Sequence, residues 1–462
     1  MKWAVLGVKA LLSVIVLLVL GACAYLYFAP PDLIRVATNY SAKITCSNFF
    51  IAGRNVTDVQ NVDVQAGSHP ILQYINIDVD EPEGVVTARL LGLFATGTAV
   101  FRDGLGCSSA PDGNIESVQA ITLDNASISA HYTTSPWQSS QHNSLVDDAL
   151  TDQGIVGEGM RAVVVIKDGK LLAETYGSGF RSETPLLGWS MAKSVTGLLM
   201  GIVFDQQFNE NTSGLFPHWS NDMRENIRLA DLMTMSSNLQ WNEGYGSVSD
   251  VTRMLYLEPD MAKFASSLPI SAPDTQNIFH YSSGTTILLS KILQDQLGVD
   301  ALSFPHEKLF GPLGMTTAVL ETDAVGTYAG SSYLYASARD WARIGQLIVN
   351  SGEWDGNQLV PTEYVNWMLT GADVSKAEWG MPEYGNAQIW MHGPRADTPS
   401  GENPDADFGF PSDTRWMLGH DGQSIAIVPS LGLVVVRMGL TGSHHNYKPQ
   451  RLLSAIIKAT EN

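Results

Sequence analysis

Leu187-Gly188-Trp189-Ser190-Met191-Ala192-Lys193-Ser194-Val195-Thr196-Gly197 reads as a turn running into an apolar helix, Val195 to Val203, with a serine and a lysine on its first turn. Residues three apart on a helix share a face, so the Lys193 ammonium can lie beside the Ser190 hydroxyl. Backbone N–H groups and the dipole at a helix start favour negative charge there. A serine hydroxyl is a weak nucleophile until a base takes its proton, and a desolvated lysine can be that base. A serine three residues before a lysine arises about once by chance in a chain this long, so the pattern needs partners elsewhere.

Two other stretches offer them. Phe279-His280-Tyr281-Ser282-Ser283-Gly284 precedes an apolar helix and puts Tyr281 at a loop–helix junction. A neighbouring ammonium lowers a phenol's pKa, so Lys193 would let Tyr281 act as base toward Ser190 and then as acid toward the leaving group. Taken alone, Tyr281 also fits a structural helix-capping residue. Gly419-His420-Asp421-Gly422-Gln423-Ser424 leads into a terminal strand. Glycines beside an edge strand let a substrate backbone approach closely. The Gln423 and Ser190 N–H groups would then form an oxyanion hole. Trp241, Glu243 and Tyr245, in a loop after Ser236-Ser237, either rim this pocket or simply pack.

Working outward, Arg161 to Ile166 and Leu171 to Tyr176 flank Asp168-Gly169, a short-turn signal, and read as a hairpin. Ser424 to Val428 and Leu433 to Met438 form a second pair of strands, followed by a helix from Pro449 through Lys458. Helical segments fill the interval: Ser194 to Asp205, Ile227 to Met235, Ser249 to Tyr256, Gly284 to Leu297, Pro305 to Phe310 and Ala338 to Ser351. The expected architecture is α/β (α+β), with one mixed antiparallel sheet drawn from both chain ends and an inserted helical lobe. Asp397 to Asp413, rich in Pro, Gly and Asp, reads as a loop on the cleft rim. Residues 30–143 read as a small β-rich subdomain with strands at Ile71 to Val79, Gly84 to Leu91 and Thr98 to Arg102. The join is expected at Thr133 to Asn143, and residues 144–462 form the catalytic unit.

The chain has 462 residues, 44% of them hydrophobic, enough for a large core, and its formal net charge is −20. That acidity argues against nucleic acid and anionic lipid as partners, which need clustered Lys and Arg. Lys2 and Lys9 precede an apolar run, Leu11 to Phe28. Eighteen helical residues span about 27 Å, close to the hydrocarbon thickness of a bilayer. Residues 1–29 therefore read as a signal anchor, with a cleaved signal peptide or lipid attachment at Cys23 as alternatives. All three place the rest of the chain outside the cytoplasm. In an oxidising compartment the two remaining cysteines, Cys46 and Cys107, are expected to pair. The histidines show no metal-ligand spacing, and no phosphate loop or dinucleotide fingerprint occurs, so neither metal nor cofactor is expected.

From about Ser144 onward the chain resembles the serine β-lactamase and penicillin-binding-protein superfamily, on its class C and DD-peptidase branch. Within that branch it is most similar to hydrolases related to 6-aminohexanoate-dimer hydrolase and to class C-type esterases. The resemblance rests on Ser190-Met191-Ala192-Lys193, Leu232-Met233-Thr234-Met235-Ser236-Ser237, Tyr281-Ser282-Ser283, Pro312-Leu313-Gly314-Met315 and Ser337-Ala338-Arg339-Asp340. It implies acylation of Ser190, acid–base work shared by Lys193 and Tyr281, and a cleft edge at His420. Ser283 stands where the family's Tyr-x-Asn has an amide, and His420-Asp421-Gly422 replaces Lys-Thr-Gly. A histidine is mostly neutral where a lysine is cationic, so the anchor for a β-lactam carboxylate is weakened. The expected substrates are small linear amides or esters, contacting Ser283, His420, Gly422, Trp241 and Tyr245. β-Lactamase or DD-peptidase activity and a non-catalytic penicillin-binding sensor are the alternatives.

Overall fold

The computed structural model describes residues 2–461 except 66–68, 125–127, 129–130, 133–135, 205–208, 272–277 and 377–379. The first part of the expected join at Thr133, and the expected helix end at Asp205, lie outside the described residues. Helix α1 (Lys2–Phe28) is long and apolar enough to cross a membrane; Leu6–Phe28 has a mean hydropathy of 2.5 and is exposed except near its C-terminal end, where Leu26 is half-buried.

Pro31 fixes the entry into α2 (Asp32–Phe50), and Asp32 sits in its first turn, where the helix dipole favours an anion. The strand reading of this region leaves α2 out, because the helix is buried without being apolar. Ser41, Ser47 and Asn48 return their side-chain donors to carbonyls four residues back, at 2.7, 3.0 and 2.9 Å. These three side chains are satisfied within the helix, which offsets much of the cost of burying them. The helix lies across an antiparallel sheet of β1 (Ile75–Asp80), β2 (Val85–Leu90), β3 (Phe94–Arg102) and β4 (Gly106–Ser109). Contact is close enough that a Cβ at Gly97 would sit 2.4 Å from the Thr38 and Asn39 backbone. Cys46 of α2 and Cys107 of β4 form a disulfide.

The larger unit begins with α3 (Ser144–Thr151), β5 (Met160–Lys167), β6 (Lys170–Tyr176) and β7 (Leu186–Leu187). A helical lobe follows, with α4 (Ala192–Val203), α5 (Asp250–Tyr256) and α6 (Ser283–Leu297). After β8 (Val319–Leu320) and β9 (Leu334–Ala336) come α7 (Ala338–Val349) and the ribbon β10 (Glu353–Trp354)–β11 (Asn357–Gln358). The chain closes with β12 (Arg415–Gly419), β13 (Gln423–Val428), β14 (Leu433–Gly439) and α8 (Pro449–Glu461).

The main sheet has the order β12-β13-β14-β5-β6 and is antiparallel throughout, so its middle is where the two chain ends meet. Alternate residues feed opposite cores. Val164 and Ile166 face the helical lobe, whereas Val163 and Val165 join Val146, Leu150, Leu453 and Ile456 from α3 and α8. Burial on both faces makes these strands continuous apolar runs. β12, absent from the sequence reading, adds the edge strand that ends at Gly419.

One buried ionic cluster binds the two units. Lys43 Nζ of α2 lies 2.6 Å from Glu321, which also accepts from Ser47 Oγ at 2.9 Å and from the Cys107 N–H at 2.6 Å. Both charged side chains are almost fully buried, so removing either would leave the other unpaired at a cost of about 3–5 kcal/mol.

Candidate active site

The nucleophile candidate sits at a strained corner. Trp189 adopts φ 49°, rare for a bulky residue, as the first residue of the single 3₁₀ turn Trp189–Met191 that opens α4. A Cβ at Gly188 would meet the Trp341 ring at 2.1 Å, so only glycine fits there. Ser190 is half-buried and opens on the cleft, while Lys193, one helical turn on, is 1% exposed.

Lys193 Nζ donates to Ser190 Oγ at 3.0 Å, to Ser283 Oγ at 3.0 Å and to the Ser331 carbonyl at 2.9 Å. These three bonds use all three ammonium donors. Burial disfavours the charged amine and lowers its pKa to about 8, against the opposing pull of the Glu243 carboxylate. A large fraction of Lys193 is therefore neutral near pH 8 and can accept the Ser190 proton.

Tyr281 completes the group. Its ring stacks on Trp390 at 5.2 Å, and Lys193 Nζ stands 4.9 Å from its centroid. The expected depression of its pKa does not occur. Burial and the Glu243 carboxylate push the phenol well up, outweighing a hydrogen bond with Ser190 that pulls it down. The proton stays on Tyr281, which suits it to donate and not to start as a base.

The residue whose importance the sequence left open is Glu243. It accepts from the Ser283 N–H at 2.8 Å, Ser283 Oγ at 2.5 Å and Trp241 Nε1 at 2.5 Å. Ser283 thus passes a hydrogen-bond chain from Glu243 to Lys193 and on to Ser190. Its pairing with a residue 40 positions earlier has no local signal; the only clue was the alternation of Trp241, Glu243 and Tyr245.

Trp241 and Gly422 make contacts within the protein. Trp241 is buried against Gly284 and donates to Glu243, bracing the carboxylate. Gly422 turns its carbonyl to Arg437 Nη1 at 3.0 Å, and a Cβ there would sit 2.8 Å from the same atom; it belongs to the turn's underside. His420 and Tyr245 line one cavity together. Their rings lie 5.0 Å apart, with His420 5.7 Å from Trp189 and its Nε2 3.4 Å from Asp421. Gln423 opens β13 opposite Gly419, and its buried amide side chain is tied to the Gly439 backbone. No cluster of His, Cys, Asp or Glu suited to a metal occurs among the described residues.

Glu243→Gln makes this chain testable. The carboxylate stabilises the Lys193 ammonium, so its removal lowers the lysine pKa further. Activity that needs the neutral amine then rises at lower pH than about 8, because a less basic amine loses its proton sooner. A glutamine oxygen cannot serve both Ser283 donors, so the maximum should fall about tenfold. The pH profile of kcat/KM reads both; an unmoved midpoint would separate Glu243 from Lys193.

The antiparallel sheet from both chain ends, the helical lobe and a serine bonded to a buried lysine are those of the β-lactamase/transpeptidase-like superfamily. Residues 143–449 match the family described as Beta-lactamase, and the chain belongs to that family. It is 23% identical over 225 residues to a 6-aminohexanoate-dimer hydrolase of Paenarthrobacter ureafaciens, a match covering 46% of this chain and 57% of that relative. The chain thus spans little more than half the length of that enzyme. A Bacillus anthracis structure described as a 6-aminohexanoate-dimer hydrolase superposes with a TM-score of 0.56 at 21% identity, over 71% of this chain and 86% of that one. A family VIII carboxylesterase gives 0.52 at 14% identity, over 70% and 99%.

Proposed function

We propose that this chain is a membrane-anchored hydrolase of small linear amides or esters that works through an acyl-enzyme on Ser190. The observation that carries the reading is the buried Lys193 amine 3.0 Å from Ser190 Oγ, with its pKa lowered to about 8. Neutral Lys193 takes the hydroxyl proton as Oγ attacks the carbonyl carbon. The oxyanion is held by the Ser190 N–H and by N–H groups of the Gly419–Gln423 turn, Gln423 included. Tyr281 gives its proton to the departing nitrogen or oxygen and is reprotonated from Lys193. Water then attacks the ester carbonyl, and the proton returns to Ser190 as the acid leaves.

Amidase and esterase relatives support this substrate class. His420, paired with Asp421, supplies no fixed cation for a β-lactam carboxylate, which disfavours β-lactam hydrolysis. Helix α1 and the Cys46–Cys107 bond favour residues 1–29 as anchor and an oxidising compartment beyond it. Residues 30–143 are proposed as an accessory unit and 144–462 as the catalytic one.

A fluorophosphonate should label the protein covalently, with the adduct on the peptide containing Ser190. A panel of p-nitrophenyl esters, aminohexanoate dimers, D-Ala-D-Ala peptides and nitrocefin then ranks the substrates. An adduct on another residue, or none, would overturn the reading.

A further inference from the structure

A cavity of about 990 Å³ lies between the two units and reaches Trp189, the neighbour of Ser190. Drug-sized ligands occupy about 300–1,000 Å³, so this space exceeds what a short acyl group needs. At the catalytic end it is bounded by Trp189, the neighbour of Ser190, and by Tyr245 and His420, whose rings pack together. The opposite wall comes from α2. Leu33, Val36, Ala37 and Tyr40 line it at the spacing of one helical face. That face looks into the cavity instead of onto the β1–β4 sheet.

The lining is sided. Beside the polar end of Tyr40, whose hydroxyl donates to the Asp63 carbonyl, Arg54 and Arg161 each lie 2.7 Å from the single carboxylate of Asp63, and both guanidiniums lie over the Phe180 ring. One wall is thus apolar and another ionic, where Arg54, Arg161 and Arg181 stand with Asp58, Asp63 and Asp421, a pattern that suits an amphiphile better than a pure hydrocarbon or a polar peptide. The position of the apolar wall adds a second constraint. Leu33 follows Phe28, the last residue of α1, by five positions, a span of at most about 18 Å. With α1 in a bilayer, the cavity begins beside the headgroup layer.

We infer that this cavity is an acyl-chain site, and that the substrates of Ser190 are long-chain amphiphilic esters or amides drawn from the membrane interface. The inference rests on the hydrolase reading above and gives its substrate class. The chain lies along α2, the carbonyl reaches Ser190 past Trp189, and the polar part is met by the Arg54–Arg161 side.

The test uses the full chain in phosphatidylcholine vesicles and p-nitrophenyl acetate, butyrate, octanoate and laurate. Each buried methylene is worth about fourfold, so kcat/KM for laurate should exceed that for acetate by more than about 30-fold. Leu33→Trp fills the cavity from α2, and Val62→Trp does so from a more exposed position that tolerates the larger ring. Each should lower the laurate-to-acetate ratio at least about tenfold, whatever its effect on total activity. A wild-type ratio near one, or a ratio unchanged in both variants, overturns the acyl-chain site while leaving the hydrolase reading intact. If no ester is cleaved and no fluorophosphonate adduct forms, the hydrolase reading fails. The cavity is then judged on Ser190→Ala protein with a dansyl-labelled undecanoic acid. Saturable binding weakened by Leu33→Trp sustains it, and absence of such binding sinks it.

Discussion

Ser190→Ala is expected to lower kcat/KM by about 10⁴-fold or more without changing the fold. The proposed mechanism forms its only covalent bond through Oγ, and no other hydroxyl stands in its place. Ser283 Oγ is already committed to Glu243 and is fully buried. Loss of the Ser190 oxygen leaves Lys193 bonded to Ser283 and to the Ser331 carbonyl, so the ammonium keeps two acceptors. Ser190 is only half-buried, so the missing atom leaves no sealed void. Ester turnover and a thermal melt on the same sample measure the two halves of the claim. Retention of more than about a hundredth of the activity would show that another group carries the acyl transfer.

Lys193→Met should cost nearly as much, about 10³–10⁴-fold, the upper range for loss of a general base. Methionine keeps the length and fits a site 1% exposed, but it can neither take the Ser190 proton nor bond the Ser331 carbonyl. The pH profile makes the prediction specific. With the folded lysine at about 8, wild-type kcat/KM rises with pH through that region as the amine loses its proton. Lys193→Met should be slow and flat there. Tyr281→Phe should be slower than wild type by about 10²-fold yet keep the rising limb, because the phenol's raised pKa leaves it protonated throughout. If Tyr281→Phe were the variant that abolished the limb, the phenolate would be the base and the roles would exchange.

What sequence made legible was local. Ser190 and Lys193 lie on one helical turn, Tyr281 falls two residues before α6, and Asp168-Gly169 marks the β5–β6 hairpin. Three features depended on contacts between distant residues. Helix α2 is buried on a face that carries serines and asparagines, and that burial depends on the β1–β4 sheet and on Glu321. The edge strand β12 is five residues ending in glycine, and it is defined by its partner β13. The direction of the Tyr281 shift depends on burial and on a carboxylate from another loop, whereas the sequence offered only the lysine.

The contact of Lys43 and Ser47 with Glu321 has a practical corollary for anyone trimming this polypeptide. A fragment starting at Ser144 would match the recognisable hydrolase segment, yet it would lose the Lys43 ammonium, the Ser47 hydroxyl and the Cys107 N–H that hold Glu321. It would also lay bare the catalytic-unit surface that α2 shields. Shortening for solubility should therefore remove α1 alone and retain everything from Pro31 onward.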